Sequence, residues 1–353
     1  MAVYENLLTV TLLVLGFVDL LLGCLTVFIV IKYSPTNFKM YQRFQINITI
    51  TITIFDVVTA LFGPIFINSL SGVYLIGFFR LSTYGTYVFM IFFYILMCLQ
   101  SGALVIAFTA KLYSLLPIAY REKLKSVFLL YIGSFYGLIP VGVTFLFYVW
   151  STDFEKYSQL MISRFPDEVP QMWISSVLIV DPLKPFWTFF FILGLYQFGG
   201  VICIMILQMI IITYLLNTPQ PFLSKKTIRM QAHTFRVFAL QFLTDVITFA
   251  IPYISYIFAQ IILVVFGWSW VAQVEKYAIP CLSILSNTHS GITSLVVLTT
   301  SRPYFVAVSS ILKLKIPKAR LNKLTSYVYN EKVFFARNQN KPKPKPEPEA
   351  KKG

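Results

Sequence analysis

Seven stretches of the chain stay apolar for the width of a bilayer, at roughly 7–31, 44–70, 84–110, 127–150, 186–216, 236–266 and 278–300. A helix needs about 20 consecutive apolar residues to cross the hydrocarbon core. Backbone groups in lipid must pair within their own segment, so each stretch predicts a helix. The expected architecture is all-α, a seven-transmembrane helix bundle over residues 1–300. Over 301–322, Val306, Val308, Ile311, Leu312, Leu314 and Ile316 mix with Lys313, Lys315, Lys318 and Arg320. With Pro303 suited to a helix start, that pattern predicts a short amphipathic helix on the membrane surface. The remainder, 323–353, ends in Lys341-Pro342-Lys343-Pro344-Lys345-Pro346-Glu347-Pro348-Glu349 and predicts a disordered basic tail.

Charge sets an orientation. With the runs threaded alternately, 24 of the 29 Lys and Arg residues fall on one side. They are Lys32, Lys39 and Arg43; Lys111, Arg121, Lys123 and Lys125; Lys225, Lys226, Arg229 and Arg236; and thirteen more from Arg302 onward. The other side holds Arg80, Lys156, Arg164, Lys184 and Lys276. Basic residues are retained in the cytoplasm, which predicts an extracellular N-terminus and a cytoplasmic C-terminus. The net charge of +15 therefore faces anionic lipid headgroups, and nucleic acid is not an expected partner. A chain that is 57% hydrophobic and 12% charged, with mean hydropathy +0.74, is not a soluble fold. No basic residue precedes the first run, which is longer than a secretory h-region of about 7–15 residues, so it reads as an uncleaved anchor. The longest outer loop, 151–185, is acidic and rich in proline, and is expected to be irregular and compact.

All four cysteines (Cys24, Cys98, Cys203, Cys281) sit in predicted spans, which argues for packing thiols and against an extracellular disulfide. His233 and His289 have no Cys, His or Asp at ligand spacing, so no metal is expected. Only three acidic residues lie inside spans, Asp19, Asp56 and Asp245. A carboxyl at mid-membrane costs about 2.5–3.5 kcal/mol on insertion scales and must find a partner inside the bundle. Asp19, Asp56, Asn287 and His289 come to similar depth and are expected to share one polar cluster. Its readings are a structural lock with Asn287 and Ser290 donating to the carboxyls, a switch whose protonation or hydration changes with state, or a transport pathway. Asp245 lies nearer the inner side, to be partnered by Arg236 or another basic residue, or packed as a neutral acid.

Pro252, in Phe249-Ala250-Ile251-Pro252-Tyr253, removes a backbone hydrogen bond and marks a hinge in the sixth helix. In the outer halves of the bundle, Tyr87, Met90, Phe189, Tyr253, Tyr256, Gln260 and Tyr277 are candidates to line an apolar pocket with a few polar handles, suited to a small ligand. The seventh run has no lysine, which excludes a retinal Schiff base. No other cofactor is expected. On the inner side, residues 223–236 extend the sixth helix with a basic face fit for lipid headgroups or an acidic or helical partner.

One ordered set of residues carries a resemblance. Leu223-Ser224-Lys225-Lys226-Thr227 followed by Gln231, Phe235 and Gln241, then Pro252-Tyr253, His289-Ser290-Gly291 and Arg302-Pro303-Tyr304, resembles the nematode serpentine chemoreceptors, class H or the related class I, over roughly 7–316. The family commonly reads Pro-Tyr-Arg where this chain has Pro303-Tyr304-Phe305. The Asp-Arg-Tyr and Asn-Pro-x-x-Tyr motifs of rhodopsin-like receptors are absent, so likeness to those receptors is architectural. The resemblance implies a G-protein-coupled chemosensory receptor of the plasma membrane, in sensory-neuron cilia, that binds a small environmental molecule from outside. It also implies a heterotrimeric G protein as partner, contacted through Lys111, Arg121, Lys225, Lys226 and Arg229. Homo- and hetero-dimers stay open.

Two other classes compete. A ligand-gated cation channel of seven-helix type places its N-terminus inside, against the charge distribution. A small-molecule transporter has weaker grounds, with no repeat between halves. No intramembrane protease motif occurs, and an enzyme is not expected.

Overall fold

The structure is a computed structural model that describes residues 2–34, 39–67, 72–79, 81–117, parts of 120–142, 154–164, 176–179, 199–218, 224–266 and 269–312. Its elements in chain order are α1 (Ala2–Tyr33), α2 (Lys39–Phe62), β1 (Pro64–Ile67), β2 (Gly72–Leu75), α3 (Thr83–Leu115), α4 (Phe154–Arg164), β3 (Leu178–Ile179) and α5 (Val201–Asn217). The sixth span follows as α6 (Lys225–Asp245), a π-helical turn at Val246–Ala250 and α7 (Ile251–Ile261). A second wide turn at Ile262–Phe266 leads to α8 (Ser269–Asn287), α9 (His289–Thr300) and α10 (Arg302–Ile311). The chain divides into two compact units, Met1–Tyr304 and Phe305–Gly353. The amphipathic segment beyond Leu312 and the basic tail lie outside the described residues.

Five segments are long and apolar enough to cross a membrane: Asn6–Tyr33, Lys39–Phe62, Thr83–Leu115, Thr227–Ala259 and Ala278–Thr300, with Val201–Asn217 a shorter apolar helix. The fourth expected run, 127–150, falls largely outside the described residues, as does the fifth before residue 199.

The helix ends depart from the apolar runs for local reasons. The second run continues to residue 70, but α2 stops at Phe62 because Gly63 takes φ 55°. That conformation is open to glycine at little steric cost. The chain then reverses into a hairpin, Pro64 opposite Leu75 and Ile67 opposite Gly72, extended by β3 with Gly72 opposite Ile179. Ile65, Ile67, Tyr74, Ile76, Val177 and Ile179 pack with Leu8 and Leu12 of α1, so this sheet sits at the N-terminal end of α1. The loop expected to be irregular contains α4, which is tied to β3 by Ser158 Oγ, donor to Ile179 O at 3.1 Å and acceptor from Ile179 N at 2.9 Å.

The third run also ends late. Helix α3 starts at an N-cap, Ser82, which accepts from Gly85 N at 3.2 Å, and runs on to Leu115. Lys111 is therefore a helical residue, not a loop residue. Helices α1 and α2 meet through small residues. A Cβ at Gly16 would stand 2.4 Å from Ala60 Cβ, and one at Gly23 would stand 2.3 Å from Thr53 Oγ1. Such close backbone approach is how membrane helices gain packing contacts where lipid supplies no hydrophobic drive.

Both later spans are interrupted. Pro252 has no N–H to return to the preceding turn, and the ladder widens just before it, with Ile251 N bonded to Val246 O. The seventh span breaks at Thr288 (φ −91°, ψ 0°), leaving α9 to begin anew at His289 inside the bundle. Aromatic packing dominates the sheet-capped half of the core, where Phe55, Tyr87, Phe89, Phe93, Tyr94 and Phe249 cluster. The other half packs Phe108, Phe235, Phe238 and Phe242 with aliphatic residues of α2, α3 and α5. Cys98 is buried, while Cys24, Cys203 and Cys281 are exposed; none of the four is in a disulfide.

Candidate functional site

The break at Thr288 explains the centre of the molecule. A new helix leaves its first N–H groups without intrahelical partners, and its N-terminus carries partial positive charge. Carboxylates from two other helices meet those groups. Asp56 Oδ2 accepts from Ser290 N at 2.6 Å, and Asp19 accepts from the backbone of Gly291. A Cβ at Gly291 would lie 2.3 Å from Asp19 Oδ1, so only glycine admits the carboxyl this closely. The four residues expected to cluster, Asp19, Asp56, Asn287 and His289, are all buried. Their bonding differs from the expected pattern: Ser290 donates through its backbone, and Asn287 Nδ2 donates to Ser283 O at 2.9 Å rather than to a carboxyl.

Asp245 joins this cluster through His289, a partner that neither of its expected readings, pairing with Arg236 or another basic residue or packing as a neutral acid, includes. His289 Nε2 and Asp245 Oδ1 share a hydrogen bond of 2.5 Å, and Thr293 Oγ1 lies 3.5 Å from the same oxygen. On the other edge of the ring, His289 Nδ1 stands 3.4 Å from Gln100 Nε2 and 3.8 Å from Asp56 Oδ1. One imidazole thus connects the second, third, sixth and seventh spans. Gln100 and Asp245 escaped the depth argument because a count along single helices does not show which side chains of neighbouring helices face one another. Among the described residues no group of His, Cys, Asp and Glu has the arrangement of a metal site.

Toward the sheet, Phe249 of the π turn stacks on His289 with centroids 5.6 Å apart and planes 20° apart. Phe249 also meets Tyr253 at 4.9 Å and Phe55 at 5.1 Å. Tyr253 and Tyr256 border a cavity of about 40 Å³ whose wall includes Phe66, Pro252, Ser283 and Asn287. Of the expected pocket residues, Tyr253 and Tyr256 reach this cavity, while Tyr87 and Met90 pack in the adjoining aromatic core. Phe189 and the side chains of Gln260 and Tyr277 lie outside the described residues. Room for about one water molecule is a contracted site, since small-molecule pockets run to roughly 300 Å³ or more.

At the opposite end, Lys111 is buried and donates to Gln231 Oε1 and Thr234 Oγ1 of α6. Arg121 folds back on the C-terminus of α3, Nε donating to Leu116 O at 2.7 Å and Nη2 to Ser114 O at 2.8 Å. Arg229 is exposed; the side chains of Lys225 and Lys226 lie outside the described residues. Ser224 caps α6, accepting from Thr227 N at 3.1 Å. Two further motif residues are buried: Tyr304 shares a 2.7 Å bond with Ser34, and Gln241 lies in the bundle.

Five long apolar segments among the described residues, threaded by interior polar contacts, define the class, a multi-pass helical membrane protein. The family profile described as serpentine type 7TM GPCR chemoreceptor Srh matches residues 4–314, and the chain belongs to that family. It is a family of receptors, in keeping with the nematode chemoreceptor motifs of the sixth and seventh spans. Comparison with curated proteins returned no match.

Proposed function

We propose that this receptor takes a small, partly apolar environmental molecule in the sheet-capped half of the bundle and activates a heterotrimeric G protein at the basic end. The sheet-capped half faces outside, as the positive-inside pattern requires. The observation that carries the reading is the continuous series of contacts Tyr253, Phe249, His289, Asp245, which links the aromatic cavity to the polar cluster through the π turn of the sixth span. A ligand that enlarges the cavity displaces Tyr253 and Phe249, and Phe249 cannot move without unstacking from His289. The His289–Asp245 bond joins the sixth span to the seventh, so a change in its geometry is the step that would carry the displacement to α6. Ligand binding then shifts a pre-existing equilibrium by its differential affinity for the two arrangements, typically about 1–3 kcal/mol of coupling. Phe189, Gln260 and Tyr277 complete the proposed lining, and Lys225, Lys226 and Arg229 the coupling surface.

The test is reconstitution in lipid nanodiscs with purified G proteins and a panel of volatile and small water-soluble organic molecules, reading nucleotide exchange. An agonist is expected to raise exchange on the native chain and far less on Phe249→Ala at equal receptor amount. Ligand-evoked current or uptake by the pure chain, with no G protein present, would move the assignment to a channel or a transporter.

A further inference from the structure

We infer that the ligand of the sheet-capped cavity is an uncharged molecule with an apolar body and a hydroxyl at its inner end, and that this hydroxyl donates to Asn287 Oδ1. The inference rests on the ligand site proposed above and names the chemistry that the site selects.

The cavity follows α8 inward past Ile279, Leu282, Ser283 and Ser286 to Asn287, the last residue of that helix. Asn287 is 2% exposed. Its Nδ2 donates to Ser283 O at 2.9 Å, one turn back, and that bond fixes which way the amide points. Among the described residues its Oδ1 is buried with no hydrogen-bond partner. An amide oxygen can only accept, so the deficit calls for a donor. The hydroxyls of the wall differ, because a hydroxyl can turn its proton to a carbonyl of its own helix, as Thr59 Oγ1 does to Phe55 O at 2.8 Å. The cavity, about 40 Å³, has room for one water, which can serve as that donor. A ligand that displaces the water must bring a donor of its own.

The rest of the wall chooses the body of the ligand. Leu12 of α1, Pro64 and Phe66 of β1, and Pro252 and Tyr256 of α7 present apolar or aromatic surface. Among the described residues no charged side chain lines the cavity, so a carboxylate or an ammonium ion would leave water without meeting a counter-charge. A ketone or ether of the same shape fills the apolar part and leaves Asn287 Oδ1 unpaired. Sites built to hydrogen-bond one group discriminate against the analogue that lacks it. Thr288, where the seventh span breaks, and His289 follow Asn287 directly, so the ligand bond forms beside the polar cluster.

The test uses the full chain in nanodiscs and ligand-observed NMR titrations with matched probes, secondary alcohols and the ketones of the same skeleton. The skeletons run from butane to decane and include cyclohexane and phenylethane, and binding to empty nanodiscs is subtracted. At least one alcohol is expected to bind the native chain about tenfold or more tightly than its ketone. On Asn287→Ala, which gives up one bond to its own helix, that preference should disappear. Ketones that bind the native chain as well as their alcohols overturn the inference, as does an alcohol preference that survives in Asn287→Ala. Binding of no alcohol in the set also overturns it and leaves the cavity a site for water only. If Asn287→Ala does not fold, the native chain decides, and the methyl ether of the bound alcohol must then bind as weakly as the ketone. Nucleotide exchange measured in parallel separates this inference from the receptor reading. An alcohol preference without exchange on any G protein leaves the ligand chemistry standing and removes the coupling; exchange evoked equally by alcohols and ketones keeps the coupling and overturns the inference.

Discussion

Asp56 and Asp19 are tolerated in the membrane because each answers a specific deficit, an N–H of α9 that the break at Thr288 leaves unpaired. Their role is thus tied to an acceptor oxygen, and charge is secondary. Asp56→Asn keeps an oxygen for Ser290 N, whereas Asp56→Ala leaves that N–H buried without a partner. The alanine variant should lose about 1–3 kcal/mol and the asparagine variant clearly less, read from thermal unfolding of the purified receptor in detergent. Asp19 gives a sharper case, because it approaches a backbone that has no side chain. Gly291→Ala sets a methyl group 2.3 Å from Asp19 Oδ1. The expected cost of such overpacking is about 1–3 kcal/mol. If the clash is with Asp19 itself, Asp19→Ala combined with Gly291→Ala costs less than the sum of the single changes. Strict additivity would place the strain elsewhere.

At the scale of elements, the contacts of the proposed signalling route gather where helices stop being regular. The π turn carries Phe249 to the face of His289, and Pro252 is the reason the turn is there. Pro252→Ala restores a donor and lets the α ladder run through, which rotates Phe249 away from the imidazole. The expected result is a receptor at least as stable as the native chain, with a weaker agonist response in the nucleotide-exchange measurement; an unchanged response would detach the π turn from signalling. These irregularities also mark the limit of what the sequence discloses. Long apolar runs announce helices because lipid leaves the backbone no alternative, and the clustering of Asp19, Asp56 and His289 follows from depth along straight helices. The end of α2 at Phe62 was hidden, since the residues of the hairpin are as apolar as the helix before them. Thr288 carries a faint signal, the poor helix formers Asn287, His289, Ser290 and Gly291 around it, which the apolar length of the span outweighs. Asp245 looked like a neighbour of Arg236 because a count along one helix cannot see that its partner, His289, stands on another. The pocket is half legible for the same reason: aromatic type predicts Tyr253 and Tyr256 at the cavity, but only packing sends Tyr87 and Met90 into the core.

For the whole molecule, the decisive quantity is which end faces the cytoplasm, since every functional assignment reverses with it. Two independent asymmetries bear on it. One is the distribution of Lys and Arg, 24 against 5 when the seven runs are threaded alternately. The other lies in how the two ends are built. At one end the sheet joins α1, α2, α4 and the residues before α3 through packed aliphatic side chains and strand hydrogen bonds. At the other, α3 meets α6 through side chains, Lys111 on Gln231 and Thr234 and Phe108 against Phe235, Phe238 and Phe242, which separate at lower cost than strands bonded through their backbones. A bundle joined firmly at one end and loosely at the other opens at the loose end when its sixth span moves, and that is the end a cytoplasmic partner must enter. The prediction is an N-terminal epitope tag accessible to antibody on intact cells, with a C-terminal tag accessible only after permeabilisation. Replacing Lys32, Lys39 and Arg43 by Gln should give a mixed population, because these charges hold the first pair of spans, and should leave the sheet-capped half folded in molecules that retain the native orientation. An N-terminus found inside in the native chain would put the loose end outside the cell, where opening it would admit solvent rather than a signalling partner, and the seven-helix channel would become the reading to pursue.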